Sequence, residues 1–124
     1  MGFLLVFVGS GIGGMARHGI GLLSLRWLGP GFPYGTLTIN IVGSALMGLI
    51  IGLFTHFEIA SQDTRLFIAT GLIGGFTTFS TFSLDAVTLW ERGQLGAMIG
   101  YVLASVLLSL GALMIMMLLI RRVL

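Results

Sequence analysis

Residues 71–85 read GLIGGFTTFSTFSLD. This stretch lies inside a long apolar run, yet it holds three glycines, five hydroxyl residues and three phenylalanines. Adjacent glycines and β-branched threonines lower helix propensity. In lipid, the backbone groups that a break sets free are costly unless protein or water satisfies them. We therefore predict a break near residues 74–78 that is buried in protein or lines a cavity.

The composition around this stretch is that of an integral membrane protein. Of the 124 residues, 56% are hydrophobic and 8% are charged, and the mean hydropathy is +1.11. A soluble domain carries about 25% charged residues, so this chain has too few to cover a water-facing surface. It has no cysteine, which excludes disulfides and thiolate metal sites. No basic cluster points to nucleic acid as a partner.

Four stretches are long and apolar enough to cross a bilayer, whose core of about 30 Å takes roughly 20 helical residues. The connections between them carry both prolines or polar and charged residues, in LGPGFPY, EIASQD and ERGQ. We expect an all-α membrane protein with a single domain, residues 1–124, and a third helix broken at mid-membrane. The predicted helices are residues 3–28, 35–57, 64–90 and 95–120.

The positive charges give the chain almost no preferred orientation. Four crossings place both termini and the second loop on one side, with Arg65, Arg121 and Arg122. The other side holds Arg26 and Arg92, and Arg17 if it counts as near its helix end. Arginine and lysine asymmetry normally fixes orientation. The near balance favours dual topology and pairing with an inverted copy, although other signals could impose a single orientation.

The third helix carries a phenylalanine stripe beside a row of hydroxyls. Phe76, Phe79 and Phe82 are spaced by three residues, and threonines and serines flank them. A lipid-facing surface would not be rimmed with hydroxyls. Because an aromatic ring has a positive edge, rings presented edge-on can attract an anion. The alternatives are packing of the rings and a kink filled by hydroxyls bonded to their own helix.

Polar residues on the second and fourth helices fall in register with this segment. Thr36 and Asn40 are four residues apart, and the Asn40 amide needs partners at membrane depth. Tyr101, Ser105 and Ser109 repeat every four residues along the fourth helix. One such serine commonly makes a helix–helix hydrogen bond. Three aligned hydroxyls indicate a polar, water-accessible path along the helix.

Two charged residues lie inside the predicted spans at similar depth, Arg17 and Asp85. They either pair with each other or leave Arg17 facing a vestibule, where it would raise the local anion concentration. His18 and His56 have no third ligand at a recognisable spacing, so a histidine metal site is not expected.

Three motifs carry a resemblance to a known family. They are GIGGMARH at residues 11–18, GTLTINIVGSALMG at 35–48 and GLIGGFTTFSTFS at 71–83. Together they resemble the Fluc (CrcB) fluoride channels, and the likeness extends over essentially the whole chain in length, order and helix count. The long phenylalanine and threonine motif is the specific one, because glycine patterns alone would be weak.

The resemblance implies an antiparallel, dual-topology homodimer in the inner (plasma) membrane with two fluoride pores. It implies a structural Na⁺ at the dimer centre, bound by the main-chain carbonyls of Gly74 and Thr77, and a vestibule arginine at Arg17. It also implies that both subunits line each pore and that the rings of Phe79 and Phe82 face the anion. The corresponding pore residues are Thr36, Asn40, Phe79, Ser80, Phe82, Tyr101, Ser105 and Ser109.

The function that follows is passive fluoride conduction rather than enzymatic catalysis. HF crosses lipid and dissociates in the more alkaline cytoplasm, so the trapped anion needs an exit. Three alternatives remain open. A small-multidrug-resistance-like exporter needs an acid in the first helix, but no Asp or Glu precedes Glu58. A fluoride/proton antiporter would have only Asp85 to titrate in the third and fourth helices. A non-conducting accessory subunit would tolerate substitution of Asn40.

Overall fold

The computed structural model of the chain describes residues 1–58 and 61–123. Four long apolar helical spans are present in that part of the chain, as predicted for a multi-pass membrane protein. The third span runs from Gln62 to Glu91 and consists of several pieces. The elements in order are α1 Gly2–Leu28, α2 Tyr34–Phe57, α3 Gln62–Arg65, a π-helical segment Leu66–Ile73, α4 Gly74–Phe76, α5 Ser80–Glu91 and α6 Leu95–Val123.

The helix ends follow from residues with restricted or permissive backbones. Helix α1 is followed by Gly29, whose φ of 77° only glycine adopts without strain. Pro33 directly precedes α2. Glu58 ends α2 in a left-handed conformation with φ 53°. The Ser61 hydroxyl caps α3 by accepting the Thr64 N–H at 3.2 Å. The helices therefore begin and end close to the residues predicted from the sequence.

Glycines bring α1 into direct backbone contact with the first half of the third span. A Cβ on Gly9 would lie 2.6 Å from the Phe67 carbonyl oxygen. One on Gly75 would lie 2.6 Å from the Ser10 carbonyl oxygen. In lipid, close backbone approach of this kind replaces the hydrophobic effect as the source of helix association.

A second contact joins α2 to α6, again through glycine. A Cβ on Gly48 would collide with the Leu113 carbonyl oxygen, and one on Gly52 would lie 3.1 Å from the Ile120 side chain. The outer faces of all four spans carry large apolar side chains in the open, among them Phe3 at 97% exposure. Such a surface suits lipid or a partner subunit as its neighbour.

Helical geometry in the third span stops after Phe76 and resumes at Ser80. Thr77 is extended, with φ −82° and ψ 159°. This interruption overlaps the predicted range of residues 74–78, but the glycine pair within that range is helical, with φ −61° and ψ −38° at Gly74. Gly75 instead provides the close approach to α1 described above. The π-helical segment that precedes the pair was not predicted.

Candidate functional site

Two cavities meet at Thr78, which lines both of them. The first has a volume of about 420 Å³, and among the predicted residues it is lined by Arg17 and Thr36, together with Asp85. The second has a volume of about 380 Å³ and lies between α2, the interruption of the third span, and α6. Its lining includes five of the predicted pore residues, Asn40, Phe79, Phe82, Ser105 and Ser109.

Asn40 holds the interruption through a reciprocal pair of hydrogen bonds with the Thr78 backbone. The Thr78 N–H donates to Asn40 Oδ1 at 2.9 Å, and Asn40 Nδ2 donates to the Thr78 carbonyl at 3.0 Å. The side-chain amide therefore pairs with a main-chain amide as a neighbouring strand would. The second Nδ2 hydrogen is left for another acceptor in the cavity.

Phe79 and Phe82 form the aromatic wall of the second cavity. Their ring centroids are 5.5 Å apart and their planes are inclined by 53°. Phe82 also contacts the Tyr101 ring at 5.3 Å, whereas Phe79 is 78% exposed. An aromatic ring carries positive charge density at its edge, so an apolar wall made of two rings is chemically compatible with an anion.

Ser105 and Ser109 line the same cavity, and their hydroxyls have no hydrogen-bond partner among the described residues. Both Oγ atoms are buried. A buried polar group without a partner costs about 1–3 kcal/mol. Many hydroxyls avoid that cost by donating to a carbonyl of their own helix, as Ser83 does to Phe79 at 3.0 Å. Unpaired donors facing a cavity indicate a place where something else accepts their hydrogen bonds.

Tyr101 does not share the surroundings of these two serines, although it was predicted in one row with them. Its side chain is fully buried, and its hydroxyl donates to Asp85 Oδ2 at 3.1 Å. Asp85 belongs to the lining of the first cavity, where Arg17 also lies. A tyrosine hydroxyl extends far from its own helix axis, so residues in one sequence row end in different surroundings, and Tyr101 lines neither of the two cavities.

Thr36 and Ser80 also lie apart from the second cavity. Thr36 is one helical turn from Asn40 but lines the first cavity. Ser80 is exposed, and its Oγ lies 3.5 Å from Thr78 Oγ1. Of the described residues, Ser80 is not among those that line either cavity.

The main-chain carbonyls of residues 74–77 lose the donors that a continuous helix would give them, and for two of them, Gly74 and Thr77, the missing donor is bonded to a side chain. The donor for Gly74 would be the Thr78 N–H, which goes to Asn40. The donor for Thr77 would be the Thr81 N–H, which goes to Thr78 Oγ1 at 3.2 Å. The Ile73 carbonyl, in contrast, accepts both the N–H and the hydroxyl of Thr77, at 3.0 and 3.2 Å.

Thr78 and Thr81 are the site residues that the sequence analysis did not single out. Thr78 was considered only as one of several hydroxyls beside the phenylalanines. Its position three residues before Thr81 matches the spacing at which a hydroxyl caps a helix by accepting an N–H. From that spacing alone, the sequence could have predicted that a new helix begins just after Thr78.

Comparison with known proteins identifies relatives over nearly the whole chain. A protein of Granulibacter bethesdensis named fluoride-specific ion channel FluC is 50% identical over 121 residues, 98% of this chain and 95% of that protein. One of Rhodopseudomonas palustris (strain BisB5) with the same name is 51% identical over 123 residues, 99% of each chain. A third, from Mesorhizobium japonicum, is 55% identical over 104 residues, 84% of this chain and 83% of that protein.

A family model described as "CrcB-like protein, Camphor Resistance (CrcB)" matches residues 4–117. The match contains all three motifs and every residue of the two cavities named above. The resemblance seen in the sequence is thereby confirmed, and the chain belongs to the CrcB family.

Proposed function

We propose that this chain is a fluoride-selective channel that lets F⁻ leave the cytoplasm passively and so prevents fluoride toxicity. Its relatives carry the name of fluoride-specific ion channels. The observation that carries the proposal is the second cavity, which is lined by Asn40, two phenylalanine rings and two serines whose hydroxyls are unpaired within the described residues. These groups can all present positive charge density to an anion, and none of them is itself charged.

Fluoride is small and strongly hydrated, so a pore must replace its water with several donors. Ser105, Ser109 and the free Nδ2 hydrogen of Asn40 supply hydrogen bonds in the second cavity. The N-terminus of α5, at Ser80, adds a positive helix-dipole end beside the interruption. A narrow, rigid lining disfavours larger anions such as chloride. The first cavity, with Arg17, would serve as the vestibule that collects anions.

The channel would assemble as an antiparallel homodimer with two pores and a third helix interrupted at mid-membrane. The nearly balanced arginines support insertion in both orientations in the inner (plasma) membrane. Phe79 and Gly74 are exposed on the single chain. A second copy would cover Phe79 and complete the wall of the cavity that this ring lines.

The Gly74 and Thr77 carbonyls suit the structural sodium ion that such a dimer would hold. Both oxygens are deprived of their helical donors, because Asn40 and Thr78 take the two N–H groups. Oxygen dipoles in a tight cage are the ligands that alkali cations prefer. A bound cation would compensate the partial negative charge of these two carbonyl oxygens. The Gly74 and Thr77 carbonyls are therefore chemically suited to bind a sodium ion.

Ion efflux from liposomes tests the proposed channel. Purified protein is reconstituted, fluoride or chloride is loaded, and release is followed with ion-selective electrodes. We expect fast fluoride release with negligible chloride release. The fluoride rate should follow the fluoride gradient and not an imposed pH gradient, which separates a channel from a proton-coupled exporter or antiporter. Absence of fluoride release from folded dimers would favour the accessory-subunit alternative.

A further inference from the structure

The interruption of the third span is held open by side chains rather than by its glycines. Gly74 and Gly75 keep helical geometry, and the chain departs from it only at residues 77–79. At that point the N–H groups of residues 78–81 leave the carbonyls that a continuous helix would give them. Two of these N–H groups, those of Thr78 and Thr81, are bonded to side-chain oxygens.

The first side-chain oxygen belongs to Asn40, on another helix. Its Oδ1 accepts the Thr78 N–H at 2.9 Å, while its Nδ2 occupies the Thr78 carbonyl at 3.0 Å. The pair fixes both polar groups of one peptide residue from α2. The Gly74 carbonyl, which would accept the Thr78 N–H in a continuous helix, is thereby left for another partner.

The second side-chain oxygen belongs to Thr78 itself. Its Oγ1 accepts the Thr81 N–H at 3.2 Å and so caps α5. The Thr77 carbonyl is left free in the same way. Other threonine hydroxyls nearby behave differently: Thr88 donates to the Leu84 carbonyl of its own helix at 2.8 Å and diverts no N–H.

From these contacts we infer that Thr78 and Asn40 are positioning residues for a main-chain cation site at the interruption. The Asn40 side chain binds the Thr78 N–H, which would otherwise donate to the Gly74 carbonyl. The Thr78 hydroxyl binds the Thr81 N–H, which would otherwise donate to the Thr77 carbonyl. The inference rests on the proposed function, because it concerns the sodium site of the proposed dimer. It adds Thr78, whose role is exerted through its hydroxyl, and gives Asn40 a second role besides facing the pore.

The two roles of Asn40 also couple the two ion sites. The same amide group faces the second cavity and holds the backbone that carries the Gly74 carbonyl. Substitution of Asn40 should therefore disturb sodium binding as well as fluoride conduction. Substitution of Thr78 should weaken sodium binding although the Ser105 and Ser109 hydroxyls of α6 are unchanged.

Sodium-dependent thermal stability of the purified dimer measures this role without fluoride. The melting temperature is followed as NaCl replaces N-methylglucamine chloride at constant ionic strength, which gives an apparent sodium affinity. We expect Thr78→Val, which keeps the shape but loses the acceptor, to weaken that affinity about tenfold, as the loss of one hydrogen-bonded arrangement implies. Thr78→Ser should restore it, because serine keeps the hydroxyl. Thr88→Val is the matched control and should leave the affinity unchanged.

Asn40→Ala provides a second, independent variant in case Thr78→Val does not fold. It should weaken the sodium affinity by a similar factor, because it releases the Thr78 N–H to the Gly74 carbonyl. Wild-type affinity in both Thr78→Val and Asn40→Ala would overturn the inference. A melting temperature of the parent protein that does not respond to sodium would also overturn it.

Fluoride efflux from liposomes, measured separately, keeps this inference distinct from the proposed channel. If the parent protein releases fluoride but its melting temperature does not respond to sodium, the proposed channel is supported and the positioning role is contradicted. If both variants weaken the sodium response of a protein that releases no fluoride, the positioning role is supported and the proposed channel is contradicted.

Discussion

The hydroxyls of Ser105 and Ser109 have no protein partner among the described residues to offset the cost of their burial. That cost is about 1–3 kcal/mol for each hydroxyl. A packed helix could have used alanine at either position. An anion in the second cavity would accept their hydrogen bonds and offset the cost only while it is there.

Ser105→Ala should therefore make the protein more stable and a poorer channel. We expect a higher melting temperature in fluoride-free buffer, because the unsatisfied hydroxyl is gone, and a reduced fluoride efflux rate. Thermal unfolding in detergent and electrode-based efflux measure the two effects on the same preparation.

Ser83→Ala is the control for this prediction, because the Ser83 hydroxyl already donates to the Phe79 carbonyl. It should give no comparable gain in stability. A loss of stability in Ser105→Ala, with efflux at the parent rate, would mean that the hydroxyl has a structural role.

Much of this residue-level geometry lay beyond the sequence. The polar character of Asn40 and its membrane depth predicted that its amide needs partners, but not that a main-chain amide supplies them. The four-residue spacing of Tyr101, Ser105 and Ser109 suggested one row. The length of the tyrosine side chain carries its hydroxyl to Asp85 instead, and periodicity along a helix contains no such information.

Among the elements, the contact between α1 and the first half of the third span depends most on glycine. Gly9 packs against the backbone of the π-helical segment, and a Cβ there would lie 2.6 Å from the Phe67 carbonyl oxygen. Gly11, two residues away, has open space around its Cβ position. The two positions differ in packing but share a helix and a residue type.

Gly9→Ala should destabilise the protein by roughly 1–3 kcal/mol, because the added methyl forces two backbones apart. Gly11→Ala should be neutral or stabilising by up to about 1 kcal/mol, because alanine is the better helix former. Melting temperatures of the two variants test the difference. Equal melting temperatures would contradict the close contact between α1 and the π-helical segment.

The elements were more predictable than their interior geometry. Hydropathy and the loop residues, such as Pro33 before α2, placed all four spans close to their observed ends. The interruption was expected near residues 74–78, where adjacent glycines and β-branched threonines weaken a helix. Helical geometry is lost at residues 77–79, toward the threonine end of that range. The bonds from Asn40 and Thr78 at that point are tertiary and capping contacts that propensity does not contain. The π-helical segment has no sequence signature that we recognise.

At the scale of the whole molecule, the arginine balance makes orientation sensitive to a single charge. The side with both termini has Arg65, Arg121 and Arg122, and the opposite side has Arg26 and Arg92, with Arg17 deeper. An antiparallel dimer needs both orientations in similar amounts. A small bias in either direction should deplete one of them.

Gln62→Arg and Gln94→Arg add one charge on opposite sides of the membrane. Each alone should skew insertion toward one orientation and lower the yield of active dimer. Coexpression of the two variants should restore activity, because each supplies the orientation that the other lacks. Cysteine-accessibility or reporter-fusion mapping of orientation would check the mechanism. Full activity of each variant alone, with unbiased insertion, would contradict it.

Fluoride efflux from liposomes that contain cavity variants tests whether the second cavity is the path of the ion. Phe79→Ile and Asn40→Ala should abolish or strongly reduce fluoride release from folded dimers. Phe3→Ile, which changes a ring that is 97% exposed at the start of α1, should release fluoride at the parent rate. Parent-rate fluoride release from both cavity variants would show that the ion takes another path and would contradict the account.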